Sequence, residues 1–128
     1  MKSISMAVVG CGDIAHIRYL YAISHRKEKF QIDAVYDRNP EVCQRTAKEL
    51  GAQAENSLES LLAIAKIDTV IVTTYHPSHA SIAIQCMEAG KNVIVEKPFA
   101  TSSADAQKVL ETAKRTGKLC MLMPYELY

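Results

Sequence analysis

Four short groups of residues in this chain have the types and spacing that chemistry needs. The first is Gly10-Cys11-Gly12-Asp13-Ile14-Ala15, a Gly-x-Gly-x-x-Ala turn closing an apolar run. Gly10 permits a tight strand-to-helix turn, Gly12 puts no side chain between the backbone and an approaching pyrophosphate, and small Ala15 lets the helix lie close to its strand. The helix start at Asp13 and Ile14 would offer N–H groups and a positive dipole end to phosphate oxygens. The second group is Asp37-Arg38, with Asp37 22 residues beyond Ala15, near the spacing at which such a fingerprint places its acid. Asp37 would accept hydrogen bonds from both adenosine ribose hydroxyls and repel a 2′-phosphate, which favours NAD. Arg38 next to it could hold that phosphate, so NADP stays open.

The third group, Thr73-Thr74-Tyr75-His76-Pro77-Ser78-His79, brings hydroxyls, a ring and two imidazoles directly after an apolar run. The spacing of His76 and His79 invites a metal, but no Cys, Asp or Glu partner sits at usable spacing, and no metal is expected. The polar loop and helix start are also an ordinary surface arrangement. The fourth group is Glu96-Lys97-Pro98, a strand end made of two opposite charges and a proline. Lys97 would carry its ammonium into a cleft beside a nicotinamide, where it could stabilise a developing alkoxide or transfer a proton as hydride moves. A surface salt bridge between Glu96 and Lys97 is the simpler alternative.

These groups do chemistry only if elements gather them. The hydrophobic pattern predicts strands near residues 3–9, 31–36, 52–54, 69–73, 92–95 and 118–123. Nearly continuous apolar runs such as Thr69-Val70-Ile71-Val72-Thr73 suit strands covered on both faces. Helices are predicted between them. The first spans about Asp13 to Ser24, with Ile14, Ile17 and Tyr21 as its apolar stripe. The second is capped by Asn39, has Pro40 at its first position and stops at Gly51. The third is capped by Ser57, with Leu58, Leu61, Leu62 and Ala65 on its face. A fourth covers about Ser78 to Ala89. The last is capped near Ser102 or Ser103, with Ala106, Val109, Leu110 and Ala113 facing the core and Gly117 at its end. About six strands alternating with helices predict an α/β, Rossmann-like, doubly wound parallel sheet with helices on both faces. Ligands of such sheets bind outside the carboxyl ends of the strands, where Gly10 to Asp13, Thr73 to His79 and Glu96-Lys97-Pro98 would meet.

At 128 residues, 48% hydrophobic and 23% charged, the chain has the composition of one globular domain with a core of its own. With 15 Lys+Arg against 14 Asp+Glu, neither nucleic acid nor an anionic membrane is an expected partner. No apolar run has the length of a membrane span and the start reads as a strand, so a cytoplasmic location is expected. The four cysteines are widely separated and read as reduced thiols, Cys11 being a small residue tolerated in the turn.

Taken together, Gly10 to Ala15, Asp37-Arg38-Asn39-Pro40, Pro77-x-His79 and Ala89-Gly90-Lys91-Asn92-Val93-Ile94-Val95-Glu96-Lys97-Pro98 resemble the N-terminal half of the Gfo/Idh/MocA oxidoreductase family. The resemblance covers nearly the whole chain, and Ala-Gly-Lys-x-Val followed by Glu-Lys-Pro is its most specific part. It implies an NAD(P)-dependent oxidoreductase that moves hydride between nicotinamide and a sugar, inositol or related polyol. In that light Lys97 is the catalytic residue, often aimed by a cis peptide before the proline. Gly10, Gly12, Asp13, Ile14, Asp37, Arg38, Thr73, Thr74, His76, Pro77, His79, Glu96 and Lys97 are the expected cofactor contacts. It also implies residues 1–122 as the dinucleotide-binding domain and 123–128 as a stub leading towards a C-terminal substrate domain. That domain, which carries a catalytic histidine and usually the surface of a homo-oligomer, has no counterpart here, so the chain reads as a fragment without turnover of its own. The family's arginine-bearing segment is replaced around Glu126. A stand-alone nucleotide-binding or sensing module is the alternative with the same motifs.

Overall fold

The computed structural model describes residues 2–123. Its strands are β1 (Ile4–Val9), β2 (Phe30–Tyr36), β3 (Gln53–Ala54), β4 (Thr69–Val72), β5 (Asn92–Val95) and β6 (Cys120–Leu122). They form one sheet in the order β3-β2-β1-β4-β5-β6, and each pairing is parallel. From β1 the chain winds outward one way through β2 and β3, then returns beside β1 and winds the other way through β4, β5 and β6. This is the doubly wound order, and its reversal between β1 and β4 opens a crevice at the carboxyl ends of those strands.

The helices are α1 (Tyr21–Ser24), α2 (Pro40–Leu50), α3 (Leu58–Leu62), α4 (His79–Glu88) and α5 (Ser103–Thr116). A π-helical turn, Ala15–Leu20, leads into α1, and a 3₁₀ turn, His76–Ser78, leads into α4. Because side chains alternate across a strand, β1 feeds both faces of the sheet. Ala7 and Val9 join Val70, Val72, Val93 and Val95 under α3, α4 and α5. Met6 and Val8 join Val35 and Ile71 under the π turn and α2. Continuous apolar strands are the consequence.

The helix ends form where capping chemistry puts them. Asn39 Oδ1 accepts the N–H groups of Glu41 and Val42, and Gly51 leaves α2 with a left-handed φ of 66°. Ser57 Oγ accepts from Ser60 N at 3.0 Å, and Ser102 Oγ from Asp105 N at 3.1 Å. Buried Lys91, which follows α4, donates to the Ile64 carbonyl at 2.8 Å and pins the loop between α3 and β4.

Two expected stripes are not the buried ones. Ile14, Ile17 and Tyr21 face solvent, while Ala15, Tyr19 and Leu20 enter the core. The π turn repeats at i→i+5 rather than i→i+4, which sets Ala15 and Leu20 on one face and rotates the predicted stripe outward. In α5, Leu110 is 58% exposed and Thr112 is buried. Thr112 donates its hydroxyl to Lys108 O at 2.7 Å on its own helix, so a polar residue occupies an apolar position without an unpaired group. Helix α3 ends at Leu62, leaving Ala65 outside it and exposed. The segment around Glu126 lies outside the described residues. Among the described residues no helix is long and apolar enough to cross a membrane.

Candidate functional site

The two glycines of the turn serve different ends. Gly10 has φ 94°, and a Cβ there would stand 2.7 Å from Thr73 C and O and 2.8 Å from Thr74 N, all backbone atoms. The close approach is built by hydrogen bonds: Gly10 N donates to Tyr36 O at 2.9 Å, Thr73 N to Val9 O at 2.9 Å, and Thr73 Oγ1 to Gly10 O at 2.6 Å. Gly10 is therefore required by the packing of β1 against the end of β4. A Cβ on Gly12 would meet nothing within 4 Å, and its φ is not left-handed. The fold does not need glycine there, and the residue is exposed.

Asp37, at the end of β2, reaches back to the turn. Its Oδ2 accepts Cys11 N at 2.8 Å and its Oδ1 accepts Asn39 N at 2.8 Å. Each carboxylate oxygen keeps lone-pair capacity for a further donor. Cys11 lies buried beneath this contact, with its thiol 3.7 Å from Tyr36 O. Burial first, and then the Asp37 charge, push that thiol up to about 12, so it stays a protonated thiol at neutral pH.

An open cleft of about 650 Å³ lies over the ends of β1, β2 and β4. Its wall includes Gly10, Gly12, Asp37, Arg38, Thr73 and Thr74 from the expected set, together with Asn39, Tyr75 and Ser78 and the apolar Val9, Tyr36, Val42, Leu58 and Ile82. The Arg38 guanidinium carbon is 5.9 Å from the centre of the Tyr75 ring, so the two loops nearly meet across the mouth. Val42, Leu58 and Ile82 had no signal of their own, because in sequence each is one more apolar residue near a helix start.

The other expected residues lie beyond that wall. Asp13 and Ile14 are exposed in the turn of helix that follows Gly12. His76 and Pro77 are exposed in the 3₁₀ turn. His79 lies in the interior, 0% exposed, with Nε2 2.8 Å from Thr74 O and Nδ1 2.7 Å from Pro98 O. Both neighbours are carbonyl acceptors, and a neutral imidazole can donate to only one of them. His79 thus offers no nitrogen to the cleft. It ties the loop after β4 to the turn after β5.

Glu96 is buried as well. It is 5% exposed, and its Oε2 accepts the Tyr19 hydroxyl at 2.6 Å while Oε1 lies 3.4 Å from Arg18 Nη1. Its N–H continues the β4–β5 ladder by donating to Val72 O at 3.0 Å. Glu96 is thus held against the first helix. Lys97 follows, half-buried, at the same end of the sheet as Gly10 and Thr73, and its peptide bond to Pro98 is cis.

Known proteins share this fold. A family model described as an oxidoreductase family with an NAD-binding Rossmann fold, Gfo/Idh/MocA, matches residues 4–123. An inositol 2-dehydrogenase/D-chiro-inositol 3-dehydrogenase of Halalkalibacterium halodurans is 30% identical over 118 residues, which are 91% of this chain and 34% of that protein. The WlbA dehydrogenase of Bordetella pertussis, solved with NADH and UDP-GlcNAcA, superposes with a TM-score of 0.91 at 28% identity, over 95% of this chain and 37% of that one. KijD10, a 3-ketoreductase of Actinomadura kijaniata solved with TDP-benzene and NADP, does so with a TM-score of 0.87 at 28% identity, over 94% and 38%. The chain spans about a third of the length of these relatives. It belongs to the Gfo/Idh/MocA oxidoreductase family and carries that family's NAD-binding Rossmann fold.

Proposed function

We propose that this chain binds a nicotinamide dinucleotide, NAD in preference to NADP, and is the cofactor-holding part of a dehydrogenase. Its substrate class is a sugar, inositol or related polyol, oxidised or reduced at a carbinol or carbonyl carbon. The carrying observation is the pairing of open space at Gly12 with the Asp37 carboxylate across one cleft at the switch point. Relatives that bear NADH or NADP, or are named for inositol, support the same reading.

The residues present fit such a cofactor. Gly12 and the N–H groups that follow it would take the pyrophosphate, and Asp37 the adenosine ribose through its remaining lone pairs. Arg38 is the feature that admits a 2′-phosphate, at the cost of its contact with Tyr75. Thr73 and Thr74 line the way towards the nicotinamide end. A nicotinamide held there would supply or accept the hydride. Lys97 places a positive charge or a proton at the substrate oxygen, lowering the energy of the alkoxide formed or consumed.

Two measurements test this. Calorimetry of the chain with NADH and NADPH is expected to give binding with NADH the tighter, and no heat with either at millimolar concentration would end the proposal. In the longer enzyme, Lys97→Met is expected to lower kcat by about 100-fold or more while cofactor affinity holds. Unchanged turnover would remove Lys97 from the mechanism.

A further inference from the structure

Lys97 has an anchored residue on each side. After it, the Pro98 carbonyl meets His79. Before it, the Glu96 carboxylate is held by Tyr19 and Arg18. That second anchor comes from the π-helical turn Ala15–Leu20, which continues the helix begun at the glycine turn: His16 N donates to Gly12 O at 3.2 Å. Such turns are rare and concentrate at functional sites. Here the turn faces Tyr19 into the core, against the strand end, where an apolar stripe of Ile14, Ile17 and Tyr21 would otherwise have packed.

The contact is strong for its kind. At 2.6 Å, Tyr19 to Glu96 has the length of an O–H···O⁻ bond, about twice as strong as a neutral one. Burial, and then the Glu96 carboxylate itself, raise the Tyr19 phenol well above its ordinary range, so Tyr19 remains the donor. Glu96 is still in the β ladder through Val72 O. Holding its side chain towards the first helix therefore fixes the backbone from which Lys97 departs.

We propose that Tyr19 is a positioning residue for Lys97, acting through Glu96, so that the helix start that receives the pyrophosphate is tied to the strand end that carries the lysine. Filling the cofactor cleft is then felt at Lys97. This rests on the reading of Lys97 and of the cleft given above. The chain's lysines, ¹³C-methylated, provide the test, with the Lys97 resonance assigned by Lys97→Arg. Adding NADH to the parent chain is expected to displace that resonance. In Tyr19→Phe, NADH affinity is expected to stay within about threefold of the parent, while the displacement falls below about half. Glu96→Ala is expected to lose the displacement likewise, and the double variant to lose no more than Glu96→Ala alone, as one shared linkage requires. Glu96→Ala also carries the test if Tyr19→Phe does not fold.

Equal displacement in the parent and Tyr19→Phe would overturn the proposal. So would loss of NADH binding together with the signal, which would make Tyr19 a support of the cleft instead. A parent chain that binds no NADH, or binds it with Lys97 unmoved, overturns the underlying site reading as well, and the two failures are told apart by the parent alone.

Discussion

Asp37 Oδ2 accepts the backbone N–H of Cys11 at 2.8 Å, joining the acid at the end of β2 to the glycine turn at the end of β1. The residue that would read the ribose is thus also a brace of the turn that would receive the pyrophosphate. Its second oxygen braces its own loop through Asn39 N.

Removing this carboxylate should separate the two roles. Asp37→Ala is expected to weaken NADH about tenfold or more, because a hydrogen bond to a charged group is worth about 1.5–3 kcal/mol. NADPH should lose less, since the charge that repels its 2′-phosphate goes too. Calorimetry with both cofactors measures the ratio, and equal losses would leave Asp37 only its bracing role.

The glycines make opposite predictions. Gly12→Ala has open space for its methyl, so stability should stay within about 0.5 kcal/mol while NADH binding drops sharply. Gly10→Ala sets a Cβ against Thr73 and Thr74 backbone at positive φ and should cost about 3 kcal/mol or more. Urea melts and NADH titrations on both variants check the pair. Undiminished NADH binding by Gly12→Ala would place the pyrophosphate elsewhere.

His79→Phe keeps a ring in the interior but leaves the Thr74 and Pro98 carbonyls without their imidazole. A neutral ring donates to only one of them, and losing that partly buried hydrogen bond costs about 1–3 kcal/mol. A loss of about that size is expected in denaturant unfolding, and a cost under about 0.5 kcal/mol would mean that neither carbonyl depends on the ring.

The buried thiols set an alkaline limit. Burial is the main cause that holds Cys11 and Cys86 up at about 12, against 9.0 for the ordinary thiol. Above about 9 the unfolded chain releases these protons while the folded chain keeps them, so stability falls with rising pH until about 12. Below about 9 the contribution is fully present. Lys91, whose burial pushes it down, works in the opposite direction, so the comparison is variant against parent at each pH. Stability of the Cys11→Ala, Cys86→Ala double variant should fall less steeply over this window, and an equal slope would contradict the thiol shifts.

Local signals were enough for the strands, the caps at Asn39, Ser57 and Ser102, and the alternation that predicts a doubly wound sheet, because each depends on neighbours a few residues apart. The glycine turn, Asp37 and the Glu96-Lys97-Pro98 strand end were legible for the same reason. Which face of the first helix is buried was not legible. Ile14, Ile17 and Tyr21 have the better apolar spacing, yet Tyr19 enters the core, because its phenol finds a carboxylate 77 positions away in Glu96. For His79 and Glu96 the family resemblance implies cofactor contacts, and no local signal points to the partners they have in the fold. Their partners, two backbone carbonyls for one and a helical phenol for the other, come from segments that only the folded sheet brings together. Sequence by itself determined which elements form and which residues stand at the carboxyl ends of the strands. Tertiary structure decided which of those polar groups face the cleft and which are buried against one another, because leaving a buried polar group unpaired is costly, and its partner is set by packing across the fold.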